Sequence, residues 1–198
     1  MKKYTLLLSS LLTVASLSAI SGQVFAADAT ADTSIKGTSD VTAELTGGSL
    51  ELTSVPKALN FGKENITDQA FTMGQVGTGT VSVSDLRGTG AGYTVNVALT
   101  TQFTSTSTST SDTHKLDGPT LKLVNAGGAA KQNNSNTTTG ITVKVGTNNA
   151  AIIKADTGQG MGIWDYSISG SKLGVPSGAY AGAYTGTLTW TLTSGITA

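Results

Sequence analysis

No cysteine occurs anywhere in the 198 residues. Disulfides and thiolate metal sites are therefore excluded, and an apolar core alone must hold the fold. A single histidine, His114, is too little for a His-built metal centre. As a general base it would need a supported scaffold and an orienting acid, and its place just after a Ser/Thr run reads as a loop tip. Arg87 is the only arginine. Charged residues make up 12% of the chain and formally balance, so bulk charge offers no grip on nucleic acid, a teichoic acid or an anionic bilayer. Any polymer partner would be held by shape, hydrogen bonds and apolar contact. No pair of carboxylates stands out for glycan hydrolysis. The chain reads as a non-enzyme that requires no cofactor and no metal.

Long apolar runs are also missing, except at the start. Lys2-Lys3, an apolar stretch from Leu6 to Ile20 broken by Ser and Thr, and Val24-Phe25-Ala26 together read as a secretory signal peptide, residues 1–26, cleaved after Ala26. The stretch is too polar and too short for a span of about 20 apolar residues. An exported protein that does not span the membrane is expected. Cleavage removes two lysines and no acid, leaving ten basic residues against twelve acidic, a net charge of −2. An exported chain without cysteine suits a Gram-positive exterior, and the sequons at Asn65, Asn133 and Asn136 are then chance matches. Residues 27–44 are small and polar and read as a flexible linker. No Leu-Pro-x-Thr-Gly sorting signal or lipobox is found.

What is present is β-strand punctuation. The chain holds 25 glycines, and turn clusters such as Gly88-Thr89-Gly90, Gly127-Gly128 and Gly158-Gln159-Gly160 separate short alternating runs. The expected strands are Leu50–Thr53, Gly79–Ser84, Tyr93–Thr101, Thr120–Asn125, Ile141–Val145, Ala151–Lys154, Ile163–Ile168 and Gly186–Thr193. No segment has a 3.6-residue period. The fold class is all-β, a single antiparallel β-sandwich or barrel-like domain over residues 45–198. The Ser/Thr run at 104–111 reads as an exposed loop or an extended edge strand, and residues 131–139 as an exposed loop.

Three motifs stand out. Leu52-Thr53-Ser54-Val55-Pro56-Lys57-Ala58-Leu59-Asn60-Phe61-Gly62 opens the domain, with Pro56 marking a kink between strands and Leu59 and Phe61 pointing inward together. In Asp85-Leu86-Arg87-Gly88, Asp85 and Arg87 share a face at i, i+2 and can pair, either to pin the Gly-rich turn or to bind a ligand. Tyr93 and Val95 begin the alternating strand that follows. The last strand puts Tyr184, Gly186, Leu188, Trp190 and Leu192 on one face and five threonines on the other. It reads as a central strand with Trp190 in the core, so truncation there should be poorly tolerated. Trp164, beside Asp165 and a Gly-rich run, could be core or a surface contact.

The opening Leu-x-x-Val-Pro-x-x-Leu-x-Phe-Gly, the Asp-x-Arg-Gly turn and the terminal Tyr-x-Gly-x-Leu-Thr-Trp-Thr-Leu, in that order behind a signal peptide, resemble the WxL domain of Gram-positive surface proteins, from about Leu45 to Thr193. The distal motif stands as Trp190-Thr191-Leu192; Tyr93-Thr94-Val95 holds the proximal place, where the family usually has a second Trp-x-Leu. The resemblance implies a cell-surface protein that binds peptidoglycan non-covalently, together with other WxL proteins and a membrane-anchored companion. Its candidate wall-binding or motif residues are Asp85, Arg87, Tyr93, Val95, Trp164, Trp190 and Leu192. A structural or adhesive subunit attached indirectly through a protein partner is the alternative, and a secreted glycan hydrolase is a third reading.

Overall fold

The computed structural model describes residues 37–106, 113–116, 120–130 and 141–195. The signal peptide, the start of the linker and the run at 131–139 lie outside them. The chain divides into Met1–Ala43 and Glu44–Ala198. Residues 37–49 are exposed and carry no strand.

Among the described residues the second unit has eleven strands and no helix: β1 (Leu50–Ser54), β2 (Phe71–Gly74), β3 (Gly79–Asp85), β4 (Tyr93–Thr106), β5 (Thr113–Lys115), β6 (Thr120–Ala130), β7 (Thr142–Val145), β8 (Ala150–Ala155), β9 (Gly162–Ile168), β10 (Lys172–Val175) and β11 (Thr185–Ser194). One sheet runs β1-β3-β9-β6-β10-β2, with β7 also on β6; the other runs β11-β4-β5, with β8 also on β4. All pairings are antiparallel.

The two inner faces make one core. Period-two alternation sends Val81 and Val83 of β3, Leu121 and Leu123 of β6, and Trp164, Tyr166 and Ile168 of β9 inward from the first sheet. Tyr93, Val95, Val97 and Leu99 of β4, with Ile152 and Ile153 of β8, meet them from the second. The consecutive isoleucines are both buried because the β4–β8 register slips between Val95 and Asn96, the mark of a bulge. The architecture is a sandwich rather than a barrel.

Four expectations from sequence need correction. Gly127-Gly128 is not a turn but a bulge inside β6, where the register to β9 shifts between Asn125 and Gly128. Gly127 takes φ +115° and donates its N–H to Asn125 Oδ1, while the Asn125 amide donates to Ile152 O across the sheets. Second, among the described residues β11 pairs only with β4, so the last strand is an edge and not a central strand. Third, after the kink at Pro56 the opening motif forms only a single bridge, Asn60 to Val76, in place of a second strand. Fourth, His114 lies in β5, opposite Ser105 of β4, and not at a loop tip. The Ser/Thr run begins as the end of β4 at residues 104–106. Short strands β2, β5 and β10, of three or four residues, were not expected at all.

Candidate functional site

The sequence-derived candidates separate into two groups. Tyr93, Val95 and Trp164 are core residues, each at most 1% exposed. They cannot touch a polymer outside. The Trp164 indole N–H donates to Met161 O at 2.9 Å, so its one polar group is satisfied internally. The Tyr93 and Tyr166 hydroxyls meet at 2.5 Å between the sheets. Burial pushes the Tyr93 phenol far above its ordinary range, and Tyr166 and Asp85 push the same way.

Asp85 and Arg87 do pair, and the pair is a structural clamp. Asp85 is 2% exposed and ends β3. Arg87 Nε and Nη2 donate to its two carboxylate oxygens at 2.8 and 2.7 Å. Nη2 also donates to Gly92 O at 2.9 Å, and Nη1 to Ser194 Oγ at the end of β11. Hydrogen bonding to Asp85 raises the guanidinium above the usual arginine value, against the opposing effect of burial. Backbone bonds from Gly48 N to Leu86 O and from Gly195 N to Gly92 O tie the same turn to both ends of the unit. Breaking such a pair costs roughly 3 kcal/mol, the low end of the range for buried pairs, since Arg87 keeps 17% side-chain exposure.

Trp190 and Leu192 remain. Both are half-buried on β11 and pack against the core, so Trp190, expected in the core, lies at its margin. The register sets the end of β11 beside the start of β4: Leu192 faces Val95, Thr193 faces Thr94 and Trp190 faces Val97. Trp190 lines a cleft of about 280 Å³ between the opening segment and the last strand. Val55, Pro56, Leu59 and Phe61 form one wall, with Lys57 beside them; Gly186, Leu188 and Trp190 form the other, with Leu99 and Phe103 also in the lining. Two glycines allow this shape. A Cβ on Gly79 would strike Pro56 and Leu59 at 2.8 and 2.9 Å, and one on Gly186 would press on Phe103 and Leu99 at 3.2 and 3.3 Å. Sequence reading found both walls as separate motifs but missed Leu99 and Phe103. Their alternation with Val97 along one strand was the available signal.

The lone histidine stacks on Tyr180, ring centroids 4.1 Å apart. The buried Ser105 hydroxyl opposite it has no hydrogen-bond partner among the described residues, so it makes no nucleophile–base contact with His114.

The fold and the cleft define a class: an all-β sandwich with an aromatic-lined groove and no nucleophile–base pair at its lone histidine. The family model described as WxL domain surface cell wall-binding matches residues 28–195, nearly the whole chain. The chain belongs to that family of cell-wall-binding surface domains. Neither a curated protein nor a solved structure gives a significant match.

Proposed function

We propose that this chain is exported to a Gram-positive cell surface and attaches non-covalently to peptidoglycan through the cleft between Val55–Phe61 and β11. The observation that carries the reading is Trp190: half-buried and set in the cleft where the opening and terminal family motifs meet. An indole held this way offers an apolar face to a sugar ring or to a short peptide stem, and its N–H adds a donor. Lys57 at the cleft adds one charge for a stem-peptide carboxylate.

The test is sedimentation with purified peptidoglycan, paired with thermal unfolding. Trp190→Ala should cost about 2 kcal/mol, near half the 3–5 kcal/mol of a fully buried aromatic. That lowers Tm by roughly 4–8 °C in a domain of this size. The variant stays folded at 25 °C and loses at least about tenfold in wall affinity, on the order of 1.4 kcal/mol. Trp164→Ala, by contrast, should unfold the domain. A folded Trp190→Ala protein that pellets like the parent would overturn the reading.

A second reading has its own observation. β11 is a ten-residue strand whose far edge has no strand partner among the described residues, and such an edge is a template for a strand from another chain. A structural or adhesive subunit, attached through another WxL protein or a membrane-anchored companion, would use it. Direct pelleting with peptidoglycan and no added protein favours the first reading over this one.

A further inference from the structure

The outer face of the first sheet carries a row of lysines that net charge conceals. Lys144 of β7 stands directly opposite Lys122 of β6, and Lys122 directly opposite Lys172 of β10. All three are exposed, while their neighbours Leu121, Leu123, Val145 and Leu173 point into the core. With strands about 4.8 Å apart, the three Cα atoms span about 10 Å. None of the three is in an ion pair with a described residue; the pair between described residues is Asp85 with Arg87. Like charges set directly opposite one another disfavour strand pairing. A chain with only eleven lysines has aligned three of them with no ion-pair partner among the described residues.

A cleft lies beside the row. Its volume is about 640 Å³, and Lys122, Lys172, Thr72, Thr120, Gly174 and Phe71 are among its lining. The register explains the shape. Thr72, Gly174 and Thr120 form one cross-strand row and Gly74, Lys172, Lys122 and Lys144 the next. Gly174 contributes no side chain, so the floor is low between Thr72 and Thr120, with the ammonium groups in the adjacent row. On β7, Thr142 sits two residues from Lys144 on the same face.

We propose that this lysine row and its trench bind a phosphodiester-linked anionic polymer of the cell wall, at a site distinct from the Trp190 cleft. Repeated single negative charges on a flexible chain match a line of compact point charges, each with three rotatable donors. A planar carboxylate is better matched by the fork of an arginine, and the one arginine is held by Asp85, Gly92 and Ser194. The hydroxyls of Thr72 and Thr120 supply bonding partners for the polyol units between phosphates.

The full chain is titrated with purified poly(glycerol phosphate), with poly-glutamate of matched charge, and with vesicles containing phosphatidylglycerol. The polymer should bind more tightly than either of the others. K122Q/K144Q/K172Q should lose at least about tenfold in affinity at low salt. Its slope of log affinity against log salt should flatten by about 2, which is about 0.7 for each of three phosphate contacts on a single-stranded polyanion. K63Q/K115Q, two exposed lysines elsewhere, should change affinity by less than about twofold, on the order of 0.4 kcal/mol. Single replacements along the row give graded losses and guard against misfolding of the triple variant. The triple variant still pellets with walls stripped of phosphodiester polymer by hydrofluoric acid, whereas Trp190→Ala does not, so the two sites fail separately. Unchanged polymer affinity in the triple variant overturns the proposal. So does an equal loss in K63Q/K115Q, or tighter binding of poly-glutamate or vesicles than of the polymer.

Discussion

Tyr93 shows how one residue can hold the two sheets together and set a limit on pH. It is fully buried and joins β4 to β9 through the Tyr166 hydroxyl. Burial raises its pKa in the folded chain above the ordinary value, which is about 10 for an unfolded tyrosine. The unfolded chain therefore loses this proton first. Stability from this group is complete below about pH 10 and is lost as pH rises beyond it. Tyr93→Phe should cost roughly 1 kcal/mol at neutral pH, the net worth of a hydrogen bond. Above about pH 10 its stability should fall less steeply than that of the parent. Denaturant titrations of both proteins between about pH 8 and 11 measure the difference in slope; parallel curves would show that the phenol does not ionise on unfolding.

At the scale of the element, β11 is an edge that acts like an interior strand. Leu192 covers Val95, Thr94 Oγ1 donates to Gly195 O at 3.3 Å, Gly195 N donates to Gly92 O at 3.0 Å, and Ser194 accepts from Arg87. Deleting residues 192–198 removes all four. Partial burial of one leucine is worth about 1–2 kcal/mol and each hydrogen bond about 1. The sum predicts a Tm lowered by roughly 10–15 °C, measured by circular dichroism, and an unchanged Tm would show that the strand end is dispensable. Sequence places this strand inside a sheet, whereas among the described residues it is an edge. Strict alternation from Tyr184 to Leu192 identifies a half-buried strand, yet says nothing about whether one or both edges are paired. The same limit explains the two tryptophans. Trp190 sits between inward leucines and reads as core, but its strand is at the sheet margin, where the kinked opening segment covers it only in part. Trp164, beside an aspartate and glycines, reads ambiguously, yet β9 is central and buries it. Strands β2 and β10 escaped notice because four residues including a glycine carry almost no periodic signal.

At the scale of the whole molecule, the balance of charge describes the bulk and not the surface. A near-neutral composition predicts weak long-range attraction to polyanions, while the register of β7, β6 and β10 concentrates three positive charges within about 10 Å, which no count of residues reveals. The two proposed sites should therefore separate by salt. Attachment through the Trp190 cleft rests on apolar contact and hydrogen bonds, which mobile ions screen little. Binding to walls stripped of phosphodiester polymer should change by less than about threefold between about 50 and 200 mM salt, a range over which binders making many phosphate contacts lose orders of magnitude. Untreated walls should bind more protein at the low end of that range, and K122Q/K144Q/K172Q should abolish the excess while leaving the salt-resistant fraction in place. Sedimentation curves on both wall preparations measure this. If binding to stripped walls collapses over the same range, charged contacts carry the attachment to peptidoglycan itself, and Lys57 at the cleft, not the Trp190 face, becomes its anchor.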